Sequence, residues 1–408
     1  MKNSEDLSAI RLNTKTDAVQ KAIYYITIVF TFMGIFALPK GHEIIGGLVT
    51  LSILVGFYNY LRNKQYNKEV NIYISIILIL YAYVVLISYA LHGDWLRLAK
   101  SLFFVSLFYA FMPSLKNIRG AIQAALVLGS ILIGAISIYQ YSNGSARPDG
   151  FTNAILFSQA SLIFFLFNIY FFTVTPSIKI KLLLAISSFS TLIALYLSQS
   201  RGAWLALVII VSAFLVINLI KNPKKYITLA VALFMLMTAL FTQSDIIKKK
   251  VQAGVSDLSR AKQGQYNSSW GLRLVAWESA WIGIKEHPFV GVGKNNFHAN
   301  KAEQVAKNQV SSLALHPALA HSHNQYFQST LIRGPLGLLT LLLVLSIPLL
   351  IKPEDTRIKY LGISIAASYA IFGLSDVPFE HLNTMYLYAL SMVVIYALLS
   401  VERTISPQ

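Results

Sequence analysis

Long apolar runs recur along most of the chain, and short polar segments separate them. A helix needs about 20 mostly apolar residues to cross a bilayer, and open backbone structures are excluded there. We predict an all-α fold: a polytopic transmembrane helical bundle of about 12 spans, with one long, mostly helical loop. The spans are expected at residues 22–39, 43–61, 70–91, 95–112, 120–141, 151–173, 180–198, 202–220, 226–242, 324–351, 358–375 and 382–401.

The apolar run over residues 180–220 is interrupted by Ser198-Gln199-Ser200-Arg201-Gly202. One arginine among small and polar residues suits a tight re-entry at a membrane interface, so this run is divided into two spans. The predicted organisation is a transmembrane bundle of nine spans at 1–241, a loop domain at 242–322, and three further spans at 323–408.

The distribution of lysine and arginine predicts the orientation. Short loops on the cytoplasmic side carry an excess of these residues. One set of alternate segments holds Lys2, Arg11, Lys15, Lys21, Arg62, Lys64, Lys68, Lys116, Arg119, Lys179, Lys181, Lys221, Lys224, Lys225, Lys352, Arg357, Lys359 and Arg403. Both termini are therefore expected in the cytoplasm, and the loop at 242–322 on the outer face.

Composition supports a membrane protein and excludes several other classes. Hydrophobic residues make up 55% and charged residues 12% of the chain, against about 25% charged residues in soluble domains. The absence of cysteine excludes disulfides and thiolate metal sites. The net charge of +17 fits the positive-inside bias and anionic lipid headgroups. Because the bases are scattered over short loops, no nucleic-acid partner is expected. The polar residues before Lys21 predict no cleavable signal peptide.

Four residues that could carry chemistry share the predicted outer side: Arg147, Arg201, Arg273 and His323. A guanidinium fork suits phosphate oxygens, and a neutral imidazole suits proton abstraction from a hydroxyl. The expected helix over 271–286 also carries Trp277 and Trp281, which follow Arg273 at four-residue spacing and could contact a sugar ring. Together these residues indicate chemistry between a lipid-linked phosphate and a hydroxyl acceptor.

Ordinary structural roles compete with each of these assignments. An interfacial arginine often reaches towards headgroups, and an interfacial tryptophan often belongs to the aromatic belt. Asp376 ends an apolar span and is either a functional acid or an ion-pair partner of an outer arginine. Glu380 and His381 follow as weaker candidates.

A metal site is not expected from the histidines. His316 and His321 are interpreted as loop residues. A spacing of two at a helix start should splay the rings of His321 and His323, and no acid lies nearby in sequence.

The helix that follows His323 should be bent. Pro335 lacks an amide hydrogen and should free a backbone carbonyl. His323, Thr330, Gly334 and Gly337 fall on roughly one helix face, where small residues would admit a neighbouring helix.

The segment His323-Asn324, nine further residues, and Gly334-Pro335-Leu336-Gly337 resembles the motif of the O-antigen ligase family, within the larger O-antigen ligase and polymerase superfamily. The likeness extends over Arg147-Pro148-Asp149-Gly150-Phe151-Thr152-Asn153, Ser200-Arg201, Gly271-Leu272-Arg273 and Gly373-Leu374-Ser375-Asp376. It therefore covers most of the chain from Arg147 to Asp376.

This resemblance implies a C-type glycosyltransferase-like fold in a bacterial inner membrane, with the site facing the periplasm. It implies transfer of O-antigen polysaccharide from undecaprenyl pyrophosphate to a sugar hydroxyl of the lipid A core, inverting and without metal or cofactor. His323 would be the general base and Asn324 would orient it or the sugar. Arg201 and Arg273 would hold the pyrophosphate, Arg147 would support an anion, and Asp376 would fix an arginine or the histidine tautomer.

Several alternatives remain open at the level of sequence. An O-antigen polymerase or a protein O-oligosaccharyltransferase of the same superfamily would share this layout. A transporter of polyisoprenoid-linked glycans and a non-catalytic assembly scaffold are alternatives of other classes.

Overall fold

The computed structural model describes residues 2–63, 72–115, 117–351 and 356–405, and these residues form helices and turns without a strand. The helices are α1 (Lys2–Met33), α2 (Gly41–Asn63), α3 (Ile72–His92), α4 (Arg97–Ala110), α5 (Ile118–Ser142), α6 (Ala154–Val174), α7 (Ile178–Leu197), α8 (Arg201–Lys221), α9 (Pro223–Gln243), α10 (Asp245–Lys262), α11 (Ser269–Glu286), α12 (Phe297–Ala306), α13 (Gln325–Ser346), α14 (Thr356–Phe372) and α15 (Leu382–Ile405). Short 3-10 helices lie at Ser312–Leu315 and Ile347–Leu350. The all-α prediction is confirmed over this part of the chain.

A helix lies at each of the twelve predicted spans, but fewer have the length and composition of a membrane span. Within the described ranges, eight helices qualify: α2, α3, α5, α6, α7, α8, α13 and α15. Helix α4 has 14 residues and α14 has 17, short of the roughly 20 that a straight crossing needs. The chain is thus a multi-pass membrane protein, and twelve spans remain a prediction. Four lysines of the orientation argument lie outside the described residues: Lys64, Lys68, Lys116 and Lys352.

Two helices, α15 and α6, occupy the centre of the bundle. In α15, 89% of the apolar window is buried, whereas in α8 the share is 11%. Helix α6 buries polar side chains as well, and these have partners: Asn168 Nδ2 donates to Ser130 Oγ at 2.9 Å, and Asn168 Oδ1 accepts from Ser187 Oγ at 3.0 Å. Since lipid offers no hydrogen bonds, such pairs fix how the helices pack.

The long loop is mostly helical, as predicted. It contains α10, α11, α12 and the first 3-10 helix. The helix expected over 271–286 is α11, which begins at Ser269. Its start is fixed by Ser268, whose Oγ accepts from the amide of Gly271 at 3.1 Å and so satisfies one free donor of the first turn. The buried face of α11 is built mainly from small residues, which lets the helix lie close to its neighbours.

The bend predicted in α13 is confirmed at Gly334, whose φ of 65° and ψ of −165° are not helical. Pro335 cannot donate to the carbonyl of Leu331, and Val292 N–H in the long loop donates to that oxygen at 2.7 Å. Gly293 N–H likewise donates to Ile332 O at 3.1 Å. A Cβ on Gly334 would overlap the carbonyl of Phe289. The close neighbour at Gly334 is therefore this loop, and the expectation of a neighbouring helix there was wrong.

Candidate functional site

Segments distant in sequence meet beside the start of α13. The amide of Gln325 donates to Gly373 O at 2.7 Å, which joins the start of α13 to the turn after α14. A methyl group on Gly202, at the start of α8, would overlap Ser375 Oγ in that same turn. Arg273 Nε of α11 donates to Ser375 O at 3.4 Å. The turn at 373–376 thus brings the predicted segments around Arg201, Arg273 and His323 together.

His323 has the geometry of a neutral base. Its Nε2 lies 2.9 Å from Ala318 O, and because a carbonyl only accepts, Nε2 must carry the proton. Nδ1 then holds a lone pair, and it is buried without a partner. Burial lowers the pKa of His323, as does Arg273, while the Ala318 contact and Asp376 raise it. The imidazole is therefore neutral near pH 7 with a free acceptor nitrogen.

The backbone at His323 is also unusual. Its φ is 48°, a left-handed conformation that costs a residue with a Cβ about 1–2 kcal/mol. The His323 amide donates to His321 Nδ1 at 3.2 Å, which helps to hold this conformation. Strained residues of this kind are concentrated at functional sites.

The two histidine rings are not splayed, so that expectation was wrong. The centroids of His321 and His323 are 4.2 Å apart, and ligand atoms of His321, His323 and Asp376 all lie within 4.8 Å of one another. These distances would suit a metal ion. However, His321 Nδ1 already accepts the His323 amide, so a neutral His321 carries its proton on Nε2 and has no free lone pair. Binding an ion with all three residues would require His321 to lose that contact.

The three predicted arginines form one electrostatic cluster. Burial lowers the pKa of Arg273; Arg201 and Arg147 lower it further, while Asp376 and Asp257 raise it. Burial and Arg201 lower the pKa of Arg147, whose Nε donates to Ser198 O at 3.2 Å. Arg201 Nη1 lies 3.6 Å from Asp257 Oδ2. Since neighbouring positive charges lower each other's pKa, this concentration of cations favours a multiply charged anion.

Helix α10 adds residues that the sequence analysis missed. Lys250, Gly254 and Asp257 are spaced i, i+4 and i+7, so they lie on one helix face. A Cβ on Gly254 would lie 3.4 Å from Arg201 Nη1, and burial, Arg147 and Arg201 lower the pKa of Lys250. Lys250 is thus a fourth cation of the cluster. The spacing was visible in the sequence, but nothing there joined this helix to Arg201.

Asp376 and Asn324 have defined structural partners. Asp376 is buried, and its Oδ2 accepts from Gln159 Nε2 at 3.0 Å. Asn324 Oδ1 accepts from the amides of Tyr326 at 3.0 Å and Phe327 at 3.1 Å. The Asn324 side chain is therefore the N-cap of α13, so its oxygen is engaged with the helix start.

The two candidate tryptophans differ in their surroundings. Trp277 packs against Trp270 and Phe327 at ring distances of 5.9 and 6.3 Å, and its Nε1 is buried without a partner. Trp281 is 51% exposed, with Lys285 Nζ 5.2 Å above its ring. Only Trp277 thus packs against α13, the helix that follows His323.

Comparison with known proteins supports the family resemblance. Residues 186–342 match the model of the family described as O-Antigen ligase. The matched range contains Arg201, Arg273 and the motif from His323 to Gly337, so the resemblance to the O-antigen ligase family is confirmed. Similarity to this family supports an enzymatic role of the glycosyltransferase-like ligase and polymerase type. The chain is also similar to an uncharacterized protein of Haemophilus influenzae, with 26% identity over 328 residues, 78% of this chain and 82% of that protein.

Proposed function

We propose that this protein is an O-antigen ligase of the bacterial inner membrane. It would transfer O-antigen polysaccharide from undecaprenyl pyrophosphate to a sugar hydroxyl of the lipid A core, at the periplasmic face. The observation that carries the proposal is the buried, unpartnered Nδ1 of His323 beside the cluster of Arg273, Arg201 and Arg147. A free base next to an anion site is what transfer from a pyrophosphate to a hydroxyl requires.

In this mechanism His323 Nδ1 takes the proton of the acceptor hydroxyl while its oxygen attacks the anomeric carbon. The bond from that carbon to the pyrophosphate oxygen breaks, and its electron pair leaves with the pyrophosphate. Arg273, Arg201 and Arg147 stabilise the departing charge, an effect worth roughly a few kcal/mol per donor. Attack opposite the leaving group inverts the anomeric centre. Retention of configuration in the product would rule out this single displacement.

Asp376 would balance the charges between the two halves of the site. It raises the pKa of both Arg273 and His323, so it would stabilise the imidazolium that forms when the proton is transferred. Asn324 would position His323 by fixing the first turn of α13, rather than by touching the sugar. Trp277 would contact the glycan, and Trp281 would contribute less because it lies at the surface.

No divalent ion takes part in this mechanism, because the arginines supply the positive charge. We expect transfer to continue in the presence of a chelator. Loss of transfer with chelator, restored by a divalent metal, would assign His321, His323 and Asp376 to a metal centre instead.

The decisive experiment is reconstitution of the whole chain in proteoliposomes with a lipid-linked donor and purified core lipid, scored for the conjugate. His323→Ala should reduce the rate by about 10²–10⁴-fold, and Arg273→Gln by about 10²-fold. Lys307→Gln is the matched control, since Lys307 is exposed on the same loop and pairs with Glu303 in a surface contact. Unchanged transfer in His323→Ala would overturn the assignment of the base.

A deletion strain separates the related functions. Loss of every core-linked glycan indicates a ligase, and a single linked repeat indicates a polymerase. An unglycosylated pilin would indicate a protein O-oligosaccharyltransferase. Movement of the lipid-linked glycan across proteoliposomes without a covalent product would indicate a transporter.

A further inference from the structure

A second polar pocket lies beside Arg333 of α13. It has a volume of about 150 Å³ and is lined by Val85, Asp94, Trp95, Arg97, Leu98, Lys294, Arg333, Glu380 and Leu382. A shallower groove of about 490 Å³ shares Asp94, Trp95 and Arg97 with it and continues along the α3–α4 turn. Pocket and groove therefore form one continuous depression, which we call the α3–α4 pocket.

The α3–α4 pocket lies on the same side of the protein as the histidines. Asp94 Oδ2 accepts from the amide of Lys294 at 2.8 Å, and Oδ1 from that of Asn295 at 3.0 Å. These contacts attach the α3–α4 turn to the long loop. Glu380 lines the pocket, and the next residue, His381, has its ring 5.8 Å from that of His321. The turn that holds Glu380 and His381 therefore connects this pocket with the histidines.

The charges of the α3–α4 pocket favour an anion. Three cations and two acids line it, and the Asp94 carboxylate is occupied by its two amide donors and by Ser88 Oγ at 2.6 Å. Glu380 accepts from both terminal nitrogens of Arg333, at 2.6 and 3.1 Å. Lys294 Nζ also lies 3.5 Å from Glu380 Oε2, so the one surplus positive charge falls on Arg97, which is exposed.

One buried donor also lacks a partner. The Arg333 side chain is only 3% exposed, and its Nε has no hydrogen-bond partner. An unmet donor on a buried cation is costly, and Arg333 lines the pocket.

The α3–α4 pocket also offers a surface for a sugar ring. Trp95 is 63% exposed, and the Arg97 guanidinium carbon lies 5.6 Å from the centre of its ring. A flat aromatic face beside a guanidinium suits a pyranose that carries a phosphate, because the apolar ring face and the anion are then met together.

We propose that the α3–α4 pocket binds a phosphorylated sugar of the acceptor, and so places its hydroxyl near His323. This inference rests on the proposed function, since it assigns a binding site to the acceptor, the second substrate of the transfer reaction. The arginine cluster around Arg273 is then the donor side, and the α3–α4 pocket is the acceptor side.

The first test is binding, measured without catalysis. Glucose 6-phosphate and glucose would be compared by saturation-transfer NMR with the whole chain in phosphatidylcholine nanodiscs. We expect a signal for glucose 6-phosphate that is lost in Arg97→Gln and in Lys294→Gln but kept in Lys307→Gln. Arg97 is exposed at the start of α4, so its replacement should leave the fold intact. Equal signals from both sugars, or a signal independent of Arg97, would overturn the proposal.

The second test is kinetic and uses core lipid before and after phosphatase treatment. For Arg97→Gln, KM for the phosphorylated acceptor should rise about tenfold at unchanged kcat, as expected for one lost charge-assisted hydrogen bond. KM for the dephosphorylated acceptor and for the donor should not change. An equal rise for both acceptors would overturn the proposal.

Three further outcomes distinguish a lipid headgroup from the acceptor as the source of the anion, and the proposed pocket from the proposed ligase. Retention of phosphatidylglycerol by the wild type but not by Arg97→Gln would assign the pocket to a lipid headgroup. That result would overturn the proposal that the pocket binds the acceptor. Wild-type protein that binds glucose 6-phosphate through Arg97 but forms no conjugate would refute the proposed ligase while supporting this pocket. If conjugate forms but Arg97→Gln leaves the ratio of KM values for the phosphorylated and dephosphorylated acceptors unchanged, the proposed pocket is refuted and the proposed ligase is not.

Discussion

Replacement of Gly334 by alanine should damage the protein through the backbone alone. Gly334 has a φ of 65° and a ψ of −165°, a region that is essentially restricted to glycine. A Cβ there would also overlap the backbone of Phe289. Both effects act at the point where the long loop is attached to the bent helix α13.

The size of the effect follows from these contacts. The forbidden conformation costs an alanine about 1–3 kcal/mol. Moving the loop away would break the bonds from Val292 N to Leu331 O and from Gly293 N to Ile332 O, worth about 1 kcal/mol each. We therefore expect Gly334→Ala to lower the free energy of unfolding by about 3–5 kcal/mol.

The assay is chemical unfolding of the purified protein in detergent, followed by the rate of conjugate formation in proteoliposomes. The control is Gly47→Ala in α2, where a Cβ would have no neighbour within 4 Å and helix propensity favours alanine by up to about 1 kcal/mol. If Gly334→Ala unfolds at the same denaturant concentration as Gly47→Ala, the account of the motif glycine is wrong.

Three further predictions concern the site. Because Asp376 raises the pKa of His323 and burial holds that pKa below 6.5, Asp376→Asn should shift the acid limb of the pH–rate profile to lower pH. An upward shift would contradict the assigned coupling. Asp257→Asn removes a partly exposed ion pair of Arg201, worth about 0–1 kcal/mol, so the donor KM should change by less than about fivefold. A larger change would give Asp257 a role of its own in binding. Trp281→Ala alters a half-exposed side chain, so transfer rates should stay within about twofold. A much larger loss would place Trp281 in contact with the glycan.

The sequence predicted the features that depend on local rules. Apolar runs located the membrane helices, and the helix expected over 271–286 is α11. Pro335 predicted the bend, because its missing amide hydrogen is a property of the residue itself.

Features that depend on distant contacts were not predictable in this way. The cap formed by Asn324 was missed because an amide beside a histidine resembles a catalytic pair. The association of His321 with Asp376 was missed because the two residues lie 55 positions apart in the sequence, and only the folded chain brings them together. Lys250 was one base in a run of three, and only packing of α10 against Arg201 distinguishes it.

The attachment of the long loop to α13 has a consequence for sequence change. The bonds at Val292 and Gly293 join main chain to main chain, and Gly293 itself is fixed, because its φ is 76° and a Cβ would overlap His92. Mutation could therefore reshape the rim of the pocket lined by Lys294 while the scaffold beneath it stayed fixed. New acceptors could be accommodated by such drift, whereas Gly293 and Gly334 cannot change, because each has a positive φ and a Cβ at either would overlap a neighbour.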